Sequence, residues 1–251
     1  MANGCISIER ILNKLDEYLN KNDYASAQRH LLYWLSEAQS SGLANIELLV
    51  RNELMGLFRK LGKEKEALEC AEAALQKIKE MQIQHQVGAA TTYLNCATVY
   101  KAFGMADEAL PLFEKAQYIY EKELEPSDSR LGGLYNNMAL ALVDLRRFSD
   151  AQSFYTKAIN VMSSVENGML EVAITYLNMA TAAEAENGLL DAEETISEYL
   201  EKAQGILEEF TKRDGYYAFV CEKCASVFGY YGYFNYEKQL TKRASDIYEG
   251  A

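Results

Sequence analysis

The sequence predicts an all-α chain, a solenoid of about six helix–turn–helix repeats, and three observations carry that prediction. Small residues recur at a fixed period: Ala97, Ala139 and Ala180 lie 42 and 41 residues apart, and each is followed twelve residues later by another alanine, Ala109, Ala151 and Ala192. Self-similarity at a period of about 20 to 50 residues is the mark of a stacked array. In the fourth copy the apolar residues fall on single helix faces, Leu134, Met138, Ala141, Leu142 and Leu145 and then Phe148, Ala151, Tyr155, Ala158 and Met162. The 251 residues include only two prolines, and the 15 glycines are spread singly, which suits helices and disfavours a turn-rich sheet protein.

The small-residue pair extends upstream with a larger first member, Leu15 with Ala27 and Met55 with Ala67, and downstream to Ala225, where Glu237 takes the second slot. Six copies result, at approximately 5–41, 44–83, 86–124, 128–166, 169–212 and 215–249. Their first helices are expected at 5–20, 44–61, 86–103, 128–145, 169–186 and 215–230. Gly62, Gly104 and Gly188 mark the turn inside a copy, because glycine tolerates the left-handed conformation that closes a helix. Arg146 holds that slot in the fourth copy, so its turn must differ or carry a strained residue. Between the third and fourth copies, Pro126 stops one helix and Ser127 or Asp128 caps the next. Pro111 falls in the first turn of its helix or just past it, where a missing amide costs little. Ala180 and Ala225 are 45 residues apart, so the second helix of the fifth copy is expected to be longer, over 190–211. No linker or low-complexity tract interrupts the pattern, and residues 1–251 read as one domain.

Composition narrows the function. The formal charge is −12, from 37 acidic and 25 basic residues. Such a chain is a poor match for nucleic acid, whose phosphates need clustered Lys and Arg, or for an anionic membrane. The N-terminal residues lack a secretory pattern, Gly4 is not at the myristoylation position, and no apolar run reaches the ~18 residues of a membrane span. The five irregularly spaced cysteines, Cys5, Cys70, Cys96, Cys221 and Cys224, read as reduced thiols of a cytoplasmic protein.

The alanine pattern, with an aromatic residue three positions after the first small residue (Tyr18, Phe58, Tyr100, Phe228), resembles the tetratricopeptide repeat. Its eight-residue extension over the usual 34 resembles the 42-residue repeats of kinesin light chain and its bacterial relatives. The best match runs from Asp107 to Ala139, with the early proline, the Leu-Glu-Pro linker, and Asn136-Asn137 before a small residue. The resemblance spans the chain and implies a right-handed superhelical solenoid with a concave groove that binds protein or peptide segments.

Within that groove the resemblance places the residue two before the first small residue of each copy. It is asparagine at Asn13, Asn95, Asn137 and Asn178, Glu53 in the second copy and Lys223 in the sixth. Asparagine is a poor mid-helix residue, so its recurrence asks for a reason. One reason is that its amide, donor and acceptor without charge, holds the main chain of an extended peptide. The other is that each asparagine bonds a neighbouring helix and only stabilises the stack. Other groove positions supply the bases Arg59, Lys60, Lys101 and Lys223, and the acids Glu9, Asp16, Glu53, Asp144, Glu184 and Glu222. Arg59, Lys60 and Lys101 concentrate in two adjacent copies, which suits a carboxylate ligand or simply a solvated basic face. The slots that form a two-carboxylate clamp in chaperone-binding relatives hold Thr91, Asn95, Gly133 and Asn137, so that ligand is not expected.

No phosphate-binding loop, nucleophile elbow or dinucleotide fingerprint is present, and an enzyme, a metal or a cofactor is not expected. Cys221 and Cys224 form a lone CxxC with no second ligand pair, and read as packed thiols. The aromatic-dense stretch from Tyr216 to Tyr236 reads as a cap on the last repeat, or as a partner or homodimer surface. The function expected is a non-catalytic adaptor or scaffold; the alternative is a regulatory protein sensing a short signalling peptide, or a self-associating module.

Overall fold

The computed structural model describes residues 7–250, and all secondary structure among them is helical. There are twelve helices: α1 (Ile8–Asn20), α2 (Tyr24–Ser40), α3 (Ala44–Lys60), α4 (Glu64–Glu80), α5 (Val87–Ala102), α6 (Ala106–Glu123), α7 (Ser129–Asp144), α8 (Phe148–Met162), α9 (Met169–Asn187), α10 (Glu193–Glu209), α11 (Gly215–Tyr230) and α12 (Phe234–Gly250). They form two compact units, Met1–Glu123 with α1–α6 and Leu124–Ala251 with α7–α12. Within each unit the two helices of each copy pair, and first helices also meet: α3 with α5, α7 with α9, and α9 with α11. Cys5, Gly4 and the expected start of the first helix at residue 5 lie outside the described residues.

The periodic small residues are where helices meet. Ala27, Ala67, Ala97, Ala109, Ala139 and Ala180 are fully buried, as is Met55, and Leu15, Ala151, Ala192 and Ala225 are nearly so. An alanine at a crossing lets two helix axes approach, and larger neighbours such as Phe113, Leu134 and Tyr155 fill the space beside it. In the last pair the pattern inverts. Glu237 occupies the usual alanine slot of α12, and the helix facing it carries Gly229, where a Cβ would collide with the Glu237 carboxylate.

The turn inside five of the six pairs has one geometry. Asn22, Gly62, Gly104, Arg146 and Gly232 all have positive φ, at 53°, 66°, 80°, 60° and 85°. One residue further on, an amide reaches back to close the helix: Asp23 to Tyr18 O, Lys63 to Phe58 O, Met105 to Tyr100 O, Arg147 to Leu142 O and Tyr233 to Phe228 O, all at 2.8–2.9 Å. The acceptor is the carbonyl of the recurrent aromatic, or of Leu142 in the fourth pair. This is the six-to-one bond of a Schellman cap. Arg146 is the strained residue anticipated for the fourth turn; its guanidinium donates to Ala185 O at 2.9 Å and lies 4.9 Å over the Phe148 ring.

Asp128 caps α7 by accepting from the Arg130 amide, and Ser7, Asp23 and Asp214 cap α1, α2 and α11 the same way. Arg130 also grips the Asp128 carboxylate through its side chain, which holds that group down to about 2. Pro111 sits in the second turn of α6, so the Asp107 carbonyl lacks its helical partner.

The fifth pair corrects an expectation. Its second helix is not extended: α10 spans 17 residues, like α2, α4 and α12. The added length lies in α9, with 19 residues, and in the connections on either side of α10. Leu190, the expected start of that helix, is an exposed residue of the turn, as is Leu189. Gly188 has φ 85° and ψ 159°, a conformation open to glycine alone.

The aromatic stretch divides. Tyr217 and Phe228 are fully buried and Tyr236 is nearly so, packed in the core of α9–α12, with Tyr231 and Tyr233 half-buried against it. Tyr216, Phe219, Tyr230 and Phe234 are exposed.

Candidate functional site

The residues proposed for the groove sit on the first helix of each pair. In the first unit, Asn95 on α5 is half-buried, and its Nδ2 donates to Asn52 Oδ1 on α3 at 2.9 Å. Asn52 donates in turn to Thr92 Oγ1 and to Leu48 O, both at 3.0 Å. In the second unit Asn178 on α9 donates to Asn136 Oδ1 on α7 at 3.0 Å. The two pairs have the same register: an asparagine two before the small residue of one copy bonds an asparagine three before it in the preceding copy. Asn137 turns back on its own helix and donates to Gly133 O at 2.8 Å. Asn13 is exposed and lines a cleft between α1 and α2 with Lys14, Glu17, His30 and Trp34, apart from Asn95. Asn52 was not anticipated, although it holds the −3 position that Asn136 also occupies.

Three of the four bases lie at helix C-termini; the fourth, Lys223, is exposed in the middle of α11. Arg59 and Lys60 occupy the last turn of α3, and Lys101 the last turn of α5, where a cation opposes the partial negative charge of the terminal carbonyls. Lys60 Nζ lies 4.8 Å over the Tyr24 ring, Arg59 is exposed, and Lys101 is half-buried. Beside them Glu53 is half-buried, and burial first, then the neighbouring Asp16 carboxylate, raise its pKa above the usual range.

In the second unit, residues of α9 and α11 at positions expected to face the groove come together. Thr181, Glu184 and Ala185, at one, four and five residues past Ala180, line one open cleft with Ser226 and Tyr230, at one and five past Ala225, and with Val227. Glu184 is fixed within it by two tyrosines: Tyr230 donates to Oε1 at 2.7 Å and Tyr231 to Oε2 at 2.8 Å. On the same strip of α11, Tyr216 donates to Glu171 of α9, and the Tyr216 and Phe219 rings stack at 6.3 Å and 22°. Burial and the accepting carboxylate raise the pKa of Tyr216 and Tyr231, so both remain donors at neutral pH.

The thiols of the CxxC are buried in α11. Burial pushes Cys221 up to about 11 and Cys224 up to about 12. Among the described residues no group of three or more His, Cys, Asp or Glu is placed to hold a metal ion, and no helix is long and apolar enough to cross a membrane.

No family model and no curated protein matches the sequence. Solved structures do match by shape. The crystal structure of BtubC (BKLC) from P. vanneervenii superposes with a TM-score of 0.66 at 18% identity, covering 82% of each chain. A Podosopora anserina putative kinesin light chain with nearly identical TPR-like repeats gives a TM-score of 0.55 at 17% identity, over 80% of this chain and 94% of that one. With paired helices at a 42-residue period, the same small-residue crossings and these structural neighbours, the chain has the tetratricopeptide-repeat fold in its long, kinesin-light-chain-like form.

Proposed function

We propose that this chain is a non-catalytic scaffold that binds an extended segment of another protein along the first helices of its second unit, α7, α9 and α11. The observation that carries the reading is the α9–α11 cleft. Positions of two successive copies, which stacking sets side by side in any such array, here line one open recess that is both polar and aromatic. Clefts with an apolar wall and a few oriented polar groups are where proteins take ligands. The asparagine pairs serve this function indirectly, by fixing the register of successive first helices; their unused carbonyl and amide capacity remains for a peptide main chain. The four buried free thiols Cys70, Cys96, Cys221 and Cys224 suit a reducing compartment, and we place the protein in the cytoplasm.

The test is a comparative pull-down from native lysate with the intact chain and with Ser226→Trp, which fills the cleft. The scaffold reading expects a defined set of proteins lost from the variant while its helical circular dichroism and melting are unchanged. Identical capture by both chains would remove the cleft from the function.

A further inference from the structure

We propose that the α9–α11 cleft recognises a basic residue, arginine above all, in the segment that binds there. This rests on the scaffold reading and adds to it the chemistry of the partner. The argument is one of charge and aromatic complementarity. Helices α9 and α11 carry four carboxylates, Glu171, Glu184, Glu186 and Glu222, and a single cation, Lys223. Glu184 faces the cleft, and the two tyrosine hydroxyls hold its carboxylate in one orientation. Two such bonds leave lone pairs on both oxygens, enough to accept a guanidinium fork. Tyr230 lines the cleft beside Glu184 and is 69% exposed. Exposed aromatic faces beside a carboxylate attract a planar cation through the ring quadrupole and the charge together. The chain's own nearby guanidinium, that of Arg146, is engaged by the Ala185 carbonyl and the Phe148 ring, and no cation of the chain is paired with Glu184 among the described residues.

Glu208 shows the same chemistry satisfied internally. It accepts from Tyr236 at 2.7 Å and is ion-paired by Arg243 at 2.8 Å, and the Arg243 guanidinium lies 5.8 Å from the Tyr236 ring. A carboxylate bonded to a tyrosine and completed by an arginine is therefore built once within this unit. Around Glu184 the carboxylate and tyrosines are present and the arginine is supplied by the partner.

The experiment is a displayed library of random 12-residue peptides selected on the intact chain, followed by fluorescence-anisotropy titration of the best binder. Enrichment of Arg and Lys above their library frequency is expected. Changing the enriched basic residue of the peptide to Met should weaken binding about tenfold, as a cation–π and charge contact would. Glu184→Gln should weaken the basic peptide to a similar degree and leave the Met peptide unchanged. The basic peptide should also bind less well at high salt. Binders without a basic preference that are nevertheless lost on Ser226→Trp would overturn this inference and leave the scaffold reading standing. No binders, or binders indifferent to Ser226→Trp, would overturn both.

Discussion

Asn178 and Asn136 lie 42 residues apart in sequence and are joined amide to carbonyl at 3.0 Å. Asn95 and Asn52 repeat the bond at 2.9 Å. Removing one partner leaves a half-buried carbonyl or amide without its bond, at a cost of about 1 kcal/mol. Alanine returns a few tenths of a kcal/mol through helix propensity, roughly 0.5 kcal/mol. Asn178→Ala should therefore lower unfolding free energy modestly, and Asn136→Ala/Asn178→Ala together should cost less than the sum of the singles. Asn137→Ala, which loses only a bond within its own helix, should be neutral or slightly stabilising. Urea unfolding of the four variants measures this, and strict additivity of the pair would show that the bond contributes nothing.

Two glycines should respond oppositely to the same substitution. A Cβ on Gly168 would overlap the backbone carbonyl of Met162, which cannot move without unwinding the end of α8. Gly168→Ala should cost about 2 kcal/mol or more, in the range of overpacked cores. A Cβ on Gly229 would meet only the end of the flexible Glu237 side chain, which is half-exposed and can swing outward. Gly229→Ala should be neutral or stabilising by up to about 1 kcal/mol, since alanine replaces glycine inside a helix. Thermal melts of the two variants side by side decide it.

Glu47 is 5% exposed and sits among Arg51 at 2.8 Å, Lys77 at 3.0 Å and Gln39 at 3.3 Å. Burial pushes its pKa up, but the bonds from Arg51, Lys77 and Gln39 together outweigh burial and leave it below the usual value of 4.5. Its folded pKa is thus depressed relative to the unfolded chain. The stabilisation is present above the unfolded value and is lost as pH falls through the folded one. Glu47→Gln should destabilise at pH 7 by about 2–3 kcal/mol, the cost of stranding partly buried cations. The gap between the two proteins should close below about pH 4. A gap that stays constant from pH 7 to pH 3 would argue against the ion pairs.

The buried cysteines should be inert. Cys221 and Cys224, pushed up to about 11 and about 12, hold almost no thiolate at pH 7.5, and burial raises Cys70 and Cys96 as well. Iodoacetamide on the native chain, with the label located by peptide mass spectrometry, should leave these four unmodified until denaturant is added. Rapid native labelling at Cys221 or Cys224 would contradict the packing.

Truncation after Asp214 removes Tyr217, Phe228 and Tyr236 from the core they share with α9 and α10. The shortened chain should melt lower and aggregate through Leu177, Ile196 and Leu200, which would gain solvent exposure. A truncated chain that melts cooperatively at the original temperature would show that the aromatic stretch is not closing that core.

The period, the paired helices and the buried alanines were legible because a crossing tolerates few residue types, so the sequence repeats where the geometry does. Gly62 and Gly104 marked their turns through glycine, and Arg146 marked its turn through the period alone. Asn22 adopts the same left-handed backbone, and no glycine marks it. Leu190 misled because an apolar residue at the edge of a helical pattern reads as helix, whereas the turn leaves it exposed. The Glu184 cleft was the hardest to see. Its parts were read separately, one as an acid of the groove and the others as a cap or a partner surface, and only folding brings them within hydrogen-bonding distance.

The turn after α9 closes differently from the five others. Gly188 donates to Glu184 O in the ordinary helical way, and Leu189 and Leu190 continue into solvent. Fewer bonds hold this segment, so it should open first: its amides should exchange with deuterium fastest among the turns inside helix pairs, and a probing protease should cut between residues 188 and 191. The residue whose carbonyl anchors that opening is also the one whose carboxylate faces the cleft. A segment seated on Glu184 should therefore slow exchange and cleavage at a connection it does not touch, an occupancy signal readable without knowing the partner.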